Sequence, residues 1–310
     1  MSDAEPQAHH LSFGAICPKC KHTQPPLTAV SSAYFQGQTI NCRNIECKEP
    51  IDYWKATLDF IGGEGIPTLL LVSVGAHETT FDFPLWAGDI APIDLTTYGI
   101  PLDATLLDIS FTSYGTNCVA QLLHSHRVSL RSLPIQFNVY GFGTGEGDDL
   151  KGYVEATVAW VQKGEDNVSW SYLLDAFEAM ASHRWRGVIL PAYAAFEIGL
   201  SPLVLNALGK HVTNKVLQDF KGEKSFSSSS ALNVLLPILC KEAKLPPLPE
   251  EIRLRINKLR RLRNDMVHEG VEQAAVTQEI AGQSLCAAVF GLEYLRFIRP
   301  LLLPTATLDL

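Results

Sequence analysis

The chain has 310 residues and a net charge of −8, with 19 % charged and 46 % hydrophobic residues. Such a composition describes a packed globular protein and excludes a disordered tail, while the length leaves room for two or three domains. No apolar run is expected to span a membrane, no internal repeat is evident, and low-complexity sequence is confined to residues 225–230, where Phe226 interrupts a run of serines.

The first informative element is a pair of cysteine pairs, Cys17-Pro18-Lys19-Cys20 and Cys42-Arg43-Asn44-Ile45-Glu46-Cys47. A tight turn inside each pair points both sulfurs at one centre, so two pairs bring four thiolates into a tetrahedron. The segment between them, with Tyr34, Phe35, Gly37 and Ile40, reads as strand and turn. The pattern resembles a zinc ribbon, although the gap inside the second pair is wider than usual. That resemblance implies a structural Zn2+ on Cys17, Cys20, Cys42 and Cys47, within a module of residues 1–60 whose core is too meagre to fold alone. A closed four-cysteine site leaves no open position for catalysis. With no secretory signal peptide recognised, the expected compartment is reducing and cytoplasmic, which disfavours disulfides. Cys118, Cys240 and Cys286 lie among apolar residues and read as buried thiols.

Residues 61–165 are β-rich. Runs at 68–74, 106–111, 135–140 and 153–160 combine β-branched and aromatic residues and are separated by Gly, Pro, Asp and Asn clusters. The expectation is an all-β sandwich or barrel-like module that serves recognition or assembly, including contact with a protein partner. The glycine-rich residues 141–147 lack the lysine and following helix of a phosphate loop, so they read as a hairpin loop. His124 and His126 share one face of a strand, but no third ligand lies nearby, and packing or surface histidines are the default.

After Gly164 the pattern turns helical, giving a third module of residues 166–310. Ser169 is placed to cap a helix carrying Leu173, Leu174, Phe177 and Met180, and a second helix runs from about 183 to 208 with a kink at Pro191. A third covers 231–243, a fourth carries the basic segment described next, and a fifth covers about 274–299. The fold class is thus multidomain α+β: a zinc ribbon, a β module and a C-terminal helical bundle.

In the fourth helix, Pro249 and Gly270 bracket a run in which Ile252, Ile256, Leu259, Leu262 and Met266 recur at steps of three and four. Arg253, Arg255, Lys258, Arg260, Arg261 and Arg263 fall within eleven positions of an acidic chain, a local patch that attracts phosphate. Arg260, Asn264 and His268 lie along one flank, and Arg263 falls inside the apolar stripe. A guanidinium aimed at a core needs a carboxylate, with Glu197 and Glu178 as candidates, or a partner subunit.

The string Arg263-Asn264-x-x-x-His268 resembles the signature of HEPN domains, and the resemblance extends weakly over residues 168–300, including Trp185 to Glu197. It implies a homodimer in which Arg263 and His268 of two protomers face one RNA-binding cleft. There His268 would move the 2′-hydroxyl proton, Arg263 would steady the phosphorane and Asn264 would orient them. Arg253, Arg255, Lys258, Arg260 and Arg261 would hold RNA. Some subfamilies carry a tyrosine two residues after the histidine; this chain has Gly270 there and falls outside that group. The resemblance implies a metal-independent endoribonuclease in antiviral defence or toxin-like growth control. The alternative is a non-catalytic scaffold of the same fold that binds nucleic acid or protein, because a helix-end histidine is also a dipole cap and a basic run is also a solvated face.

Overall fold

The computed structural model describes residues 16–25, 27–61, 77–114, 118–122, 134–143, 151–162, 168–213, 215–216, 218, 226–268 and 276–303. They form a mixed α/β protein of two compact units, one of Met1–Leu70 with Val168–Asp309 and one of Leu71–Asn167. The expected strand at 68–74, the histidines His124 and His126, and residues 144–147 of the glycine-rich run lie outside the described residues.

The second unit holds two three-stranded antiparallel sheets. Strands β1 (His77–Trp86), β6 (Lys151–Val161) and β3 (Thr105–Tyr114) form one, with β6 in the middle. Strands β2 (Ile90–Asp94), β5 (Gln136–Gly143) and β4 (Cys118–Leu122) form the other, with β5 in the middle. Burial alternates along β1 and β5, and the inward residues of both sheets join one cluster that includes Phe81, Phe83, Leu106, Phe137, Val139 and Val154. Gly141 has a packing role rather than a loop role. A Cβ there would lie 2.2 Å from the Trp86 carbonyl oxygen, so only glycine lets β5 approach the end of β1.

The first unit is helical. Helix α1 (Leu27–Phe35) occupies the segment between the cysteine pairs that reads as strand. Its aromatic residues carry β propensity, but Leu27 and Phe35 are buried, and packing overrides local preference. Gly37, at φ +73°, turns the chain after the helix. Helix α2 (Tyr53–Ile61) follows the second pair. The five expected later helices are α3 (Val168–Ala181), α4 (Trp185–Leu208), α5, α6 (Glu250–His268) and α7 (Gln278–Leu302). Helix α5 is composite: a first turn Ser228–Ser230, a π-helical Ala231–Leu235 and an α-helical Leu236–Glu242. The serines expected as loop start it, because Ser227 and Ser230 form a reciprocal capping box. Ser169, expected as a cap, lies inside α3 and is buried facing Gly199.

Helix α4 runs on through Pro191 and Pro202. Contrary to the expectation that no segment suffices, it is long and apolar enough to cross a membrane. Half of its apolar window is nevertheless buried against its own unit, as in a helix that is hydrophobic all round and sits in a core. Close crossings depend on glycines: a Cβ at Gly199 would meet Leu292 at 2.8 Å, and one at Gly291 would meet the Phe196 ring at 2.7 Å.

Glu293 breaks this apolar pattern. It is fully buried on α7, and Arg296, half-exposed one turn on, reaches one carboxylate oxygen at 2.8 Å. That is an ion-pair contact whose geometry falls short of a hydrogen bond, and neither oxygen has a hydrogen-bond donor among the described residues. Burial pushes the carboxyl from 4.5 up to about 7, against the pull of Arg296. The folded state therefore holds a proton that the unfolded chain has lost. The associated stability is present below pH 4.5 and disappears as pH rises through 7. At about 1.36 kcal/mol per pKa unit the effect is roughly 3 kcal/mol. Glu293→Gln should raise stability at pH 8 by an amount of that order and change it little at pH 4.5, as read from urea unfolding. An equal effect at both pH values would contradict the assignment.

Candidate metal centre and nucleic-acid interface

The two cysteine pairs fold into matching turns. In the first, the Cys17 amide donates to the His22 carbonyl at 3.0 Å, and Ile16 bridges to Thr23. In the second, the Cys42 amide donates to the Glu49 carbonyl at 2.8 Å, and Asn41 bridges to Pro50. The residue after the second cysteine of each pair, Lys21 or Lys48, is left-handed at φ 60° or 51°. This conformation is costly for a residue with a side chain and is held by the surrounding turn. The Asn44 side chain accepts from the Glu46 amide at 3.0 Å, and this bends the longer second turn back on itself.

These turns bring together Cys17, Cys20, Cys42 and Cys47. The sulfurs of Cys17 and Cys47 are 3.7 Å apart, those of Cys20 and Cys42 3.5 Å, and all four lie within 4.8 Å of one another. A tetrahedral thiolate site with metal–sulfur bonds of about 2.3 Å needs sulfur–sulfur edges of about 3.8 Å. The donor set therefore fits one tetrahedral, thiophilic ion. The Cys20 amide leads the interactions that lower the Cys17 thiol to about 7, whereas burial raises that of Cys42. Gln24, which the cysteine spacing did not reveal, ties the two turns together. It is 2 % exposed, and its amide nitrogen donates to the His22 carbonyl at 2.7 Å and lies 3.1 Å from the Cys42 sulfur. Its oxygen accepts from the Arg43 amide at 2.8 Å. Outer contacts of this kind fix the geometry of metal ligands.

Helix α6 is built as its periodicity predicts over the first half. Ile252, Ile256 and Leu259 are buried, whereas Leu262 and Met266 are only partly so. The basic residues do not act alike. Arg253 folds back on Glu250 at 2.6 Å and donates to Asn233 at 2.9 Å. Arg255 pairs with Glu251 at 2.6 Å and lies 4.4 Å from the centre of the Trp54 ring. Both are occupied within the unit. Lys258 and Arg261 are exposed, and Arg260 is half-buried with its Nε shielded and without a hydrogen-bond partner among the described residues.

Arg263 is half-buried. Its guanidinium donates to the neighbouring Asn264 side chain at 3.1 Å and sits 5.7 Å from the centre of the Tyr193 ring on α4. Among the described residues no carboxylate pairs with it, so neither Glu197 nor Glu178 has that role. Tyr193 is a residue that the linear motif could not single out. Its hydroxyl shares a 2.5 Å hydrogen bond with Ser228, and burial and Glu197 raise its pKa while Ser228, Arg260 and Arg263 oppose them. Arg263 and Asn264 thus stand together at the end of α6, and His268 is its last residue; the His268 side chain lies outside the described residues.

Beside Arg253 lies a groove of about 420 Å3 between α5, the proline segment and α6. Its polar groups are already paired, the Tyr294 hydroxyl to the Pro246 carbonyl and Arg253 to Glu250 and Asn233, so it offers no converging free donors. Comparison with protein-family models, curated proteins and solved structures returns no match.

A half-buried guanidinium with no carboxylate contributes little to folding, because its desolvation offsets its contacts. Arg263→Met should leave the denaturation midpoint unchanged or raise it. A loss of more than about 2 kcal/mol would instead mark Arg263 as part of the core.

Proposed function

We propose that the helical unit is a metal-independent endoribonuclease of the HEPN type, working as a homodimer in the cytoplasm in antiviral defence or toxin-like growth control. The observation that carries this reading is Arg263. Its charge is held in place by Tyr193 and Asn264 yet left without a carboxylate among the described residues, so it remains available to an anion. In this reading His268 takes the proton of an RNA 2′-hydroxyl as that oxygen attacks the adjacent phosphorus. The bond to the 5′-oxygen breaks, that oxygen takes up a proton from water, and the products are a 2′,3′-cyclic phosphate and a 5′-hydroxyl end. Arg263 stabilises the pentavalent phosphorane, and Lys258, Arg260 and Arg261 hold the flanking phosphates. Positioned general acid–base catalysis contributes on the order of 10²–10⁴-fold. His268→Ala should therefore lose most cleavage of mixed RNA in the presence of a chelator, while circular dichroism stays that of the wild type. Equal cleavage by both proteins would overturn the catalytic assignment.

One observation favours a second reading. Arg253 and Arg255 are neutralised by Glu250 and Glu251, which narrows the basic surface and suits a non-catalytic scaffold that binds nucleic acid or a protein partner. RNA binding that needs Arg261 but is indifferent to His268, with no cleavage by the wild type, would select it.

The metal we assign to Cys17, Cys20, Cys42 and Cys47 is a structural zinc ion, since four thiolates at tetrahedral spacing suit Zn2+ and leave no open coordination position. Metal analysis of purified protein should return one zinc per chain, and Gln24→Leu should weaken its retention against a chelator by about 10–100-fold. Four freely titrating thiols and no metal would contradict it.

A further inference from the structure

The charge of the chain is unevenly divided. Residues 71–167 hold 12 of the 33 acidic and 4 of the 25 basic residues, which leaves 21 of each elsewhere. The whole net charge of −8 therefore resides in the β unit, and the helical unit is neutral. Within the β unit, the outer face of the β1–β6–β3 sheet is ordered in rows. Asp82 on β1 stands directly opposite Glu155 on β6, and in the next row Pro84, Tyr153 and Tyr114 line up across the three strands. Tyr114 and Tyr153 are 53 % and 58 % exposed, and Trp86, one row further along β1 and directly opposite Lys151 of β6, is 46 % exposed.

Two features of this face conflict with simple stability. Like charges directly opposite on neighbouring strands repel, yet Asp82 and Glu155 are so placed. Large aromatic side chains are also held in water at the same end, where Tyr114 donates to Glu155 at 3.0 Å and so orients a carboxylate beside the rings. Paired carboxylates next to exposed aromatic faces suit a guanidinium or ammonium group, which gains from both the charge and the ring quadrupole. Polyphosphates such as RNA are repelled by the same surface.

We propose that the outer face of the β1–β6–β3 sheet is a docking surface for an arginine- and lysine-rich segment of a partner protein, recognised by Asp82 and Glu155 together with Tyr114, Tyr153 and Trp86. The cationic side chains relieve the repulsion between the two strands and stack on the rings. The surface is independent of the residues assigned to RNA cleavage, so either reading can fail without the other.

The test uses the full chain and a fluorescently labelled nona-arginine peptide, with binding read by anisotropy at low and moderate salt. Asp82→Thr and Tyr153→Ala should each weaken binding by about tenfold or more. Glu279→Gln, which removes an exposed acid from the helical unit, should leave it within about twofold. Asp82→Thr should also raise the unfolding temperature, because it removes the like-charge pair from the free protein. Equal weakening by Glu279→Gln would show attraction to bulk charge only and overturn the proposal. Absence of peptide binding would overturn it too, as would a polyuridine RNA or a soluble glycan binding the same face in place of the peptide.

Discussion

Burial of α7 is the constraint on which the rest of its unit depends. Most of its residues from Ala281 to Leu302 are buried, and different elements cover different sides of it. Phe35 of α1 packs between Tyr294 and Phe297, with ring centres 5.2 and 5.8 Å away. Tyr34 and Trp54 meet Phe290 at 5.3 and 5.1 Å. On another side Gly291 admits Phe196 of α4 and Ile256 of α6, and Leu292 and Leu295 close on Gly199. Each aromatic contact is worth about 0.5–1.5 kcal/mol beyond the area it buries. The seam therefore ties the two N-terminal helices to α7.

A consequence is that the cysteine cluster and the basic helix share one core. Helix α2 begins six residues after Cys47, and the Tyr53 hydroxyl at its start reaches back to the Pro25 carbonyl at 3.0 Å, close to the first cysteine turn. The next residue, Trp54, carries the Arg255 guanidinium of α6 on its ring and receives the Cys286 thiol of α7 at its carbonyl. The cluster thus fixes the ends of α1 and α2, and these helices in turn support α6 and α7. Arg255, which a charge count assigns to a solvated patch, has a packing role here, as long cationic side chains often do.

Much of this was legible where local pattern and environment agree. Ile252, Ile256 and Leu259 at helical spacing marked the buried face of α6, and the close spacing within each cysteine pair marked the thiol cluster. Legibility failed where distant contacts decide. Tyr34 and Phe35 look like strand residues until α7 is there to receive them, and nothing local announces the π-helical turn at residues 231–235. Charge is what a sequence displays, so it suggests a carboxylate as the partner of Arg263, whereas the structure supplies an aromatic face and a neighbouring amide. Gln24 was legible only in retrospect, as a polar residue four positions after Cys20 that would be costly to bury unless bonded. Nothing local announces that Glu293 of α7 is fully buried either.

The central claim is that α1, α2, α6 and α7 stand or fall together, and amide hydrogen exchange on the Phe35→Ala protein tests it most directly. Removing a buried phenylalanine costs about 3–5 kcal/mol where the surroundings cannot collapse. If the seam holds the unit, protection should fall together along α1, α2, α6 and α7, the Cys17 and Cys42 thiols should become reactive, and the strands β1 to β6 should keep their protection. Faster exchange confined to α1, with α6 and α7 unchanged and the thiols still shielded, would contradict it.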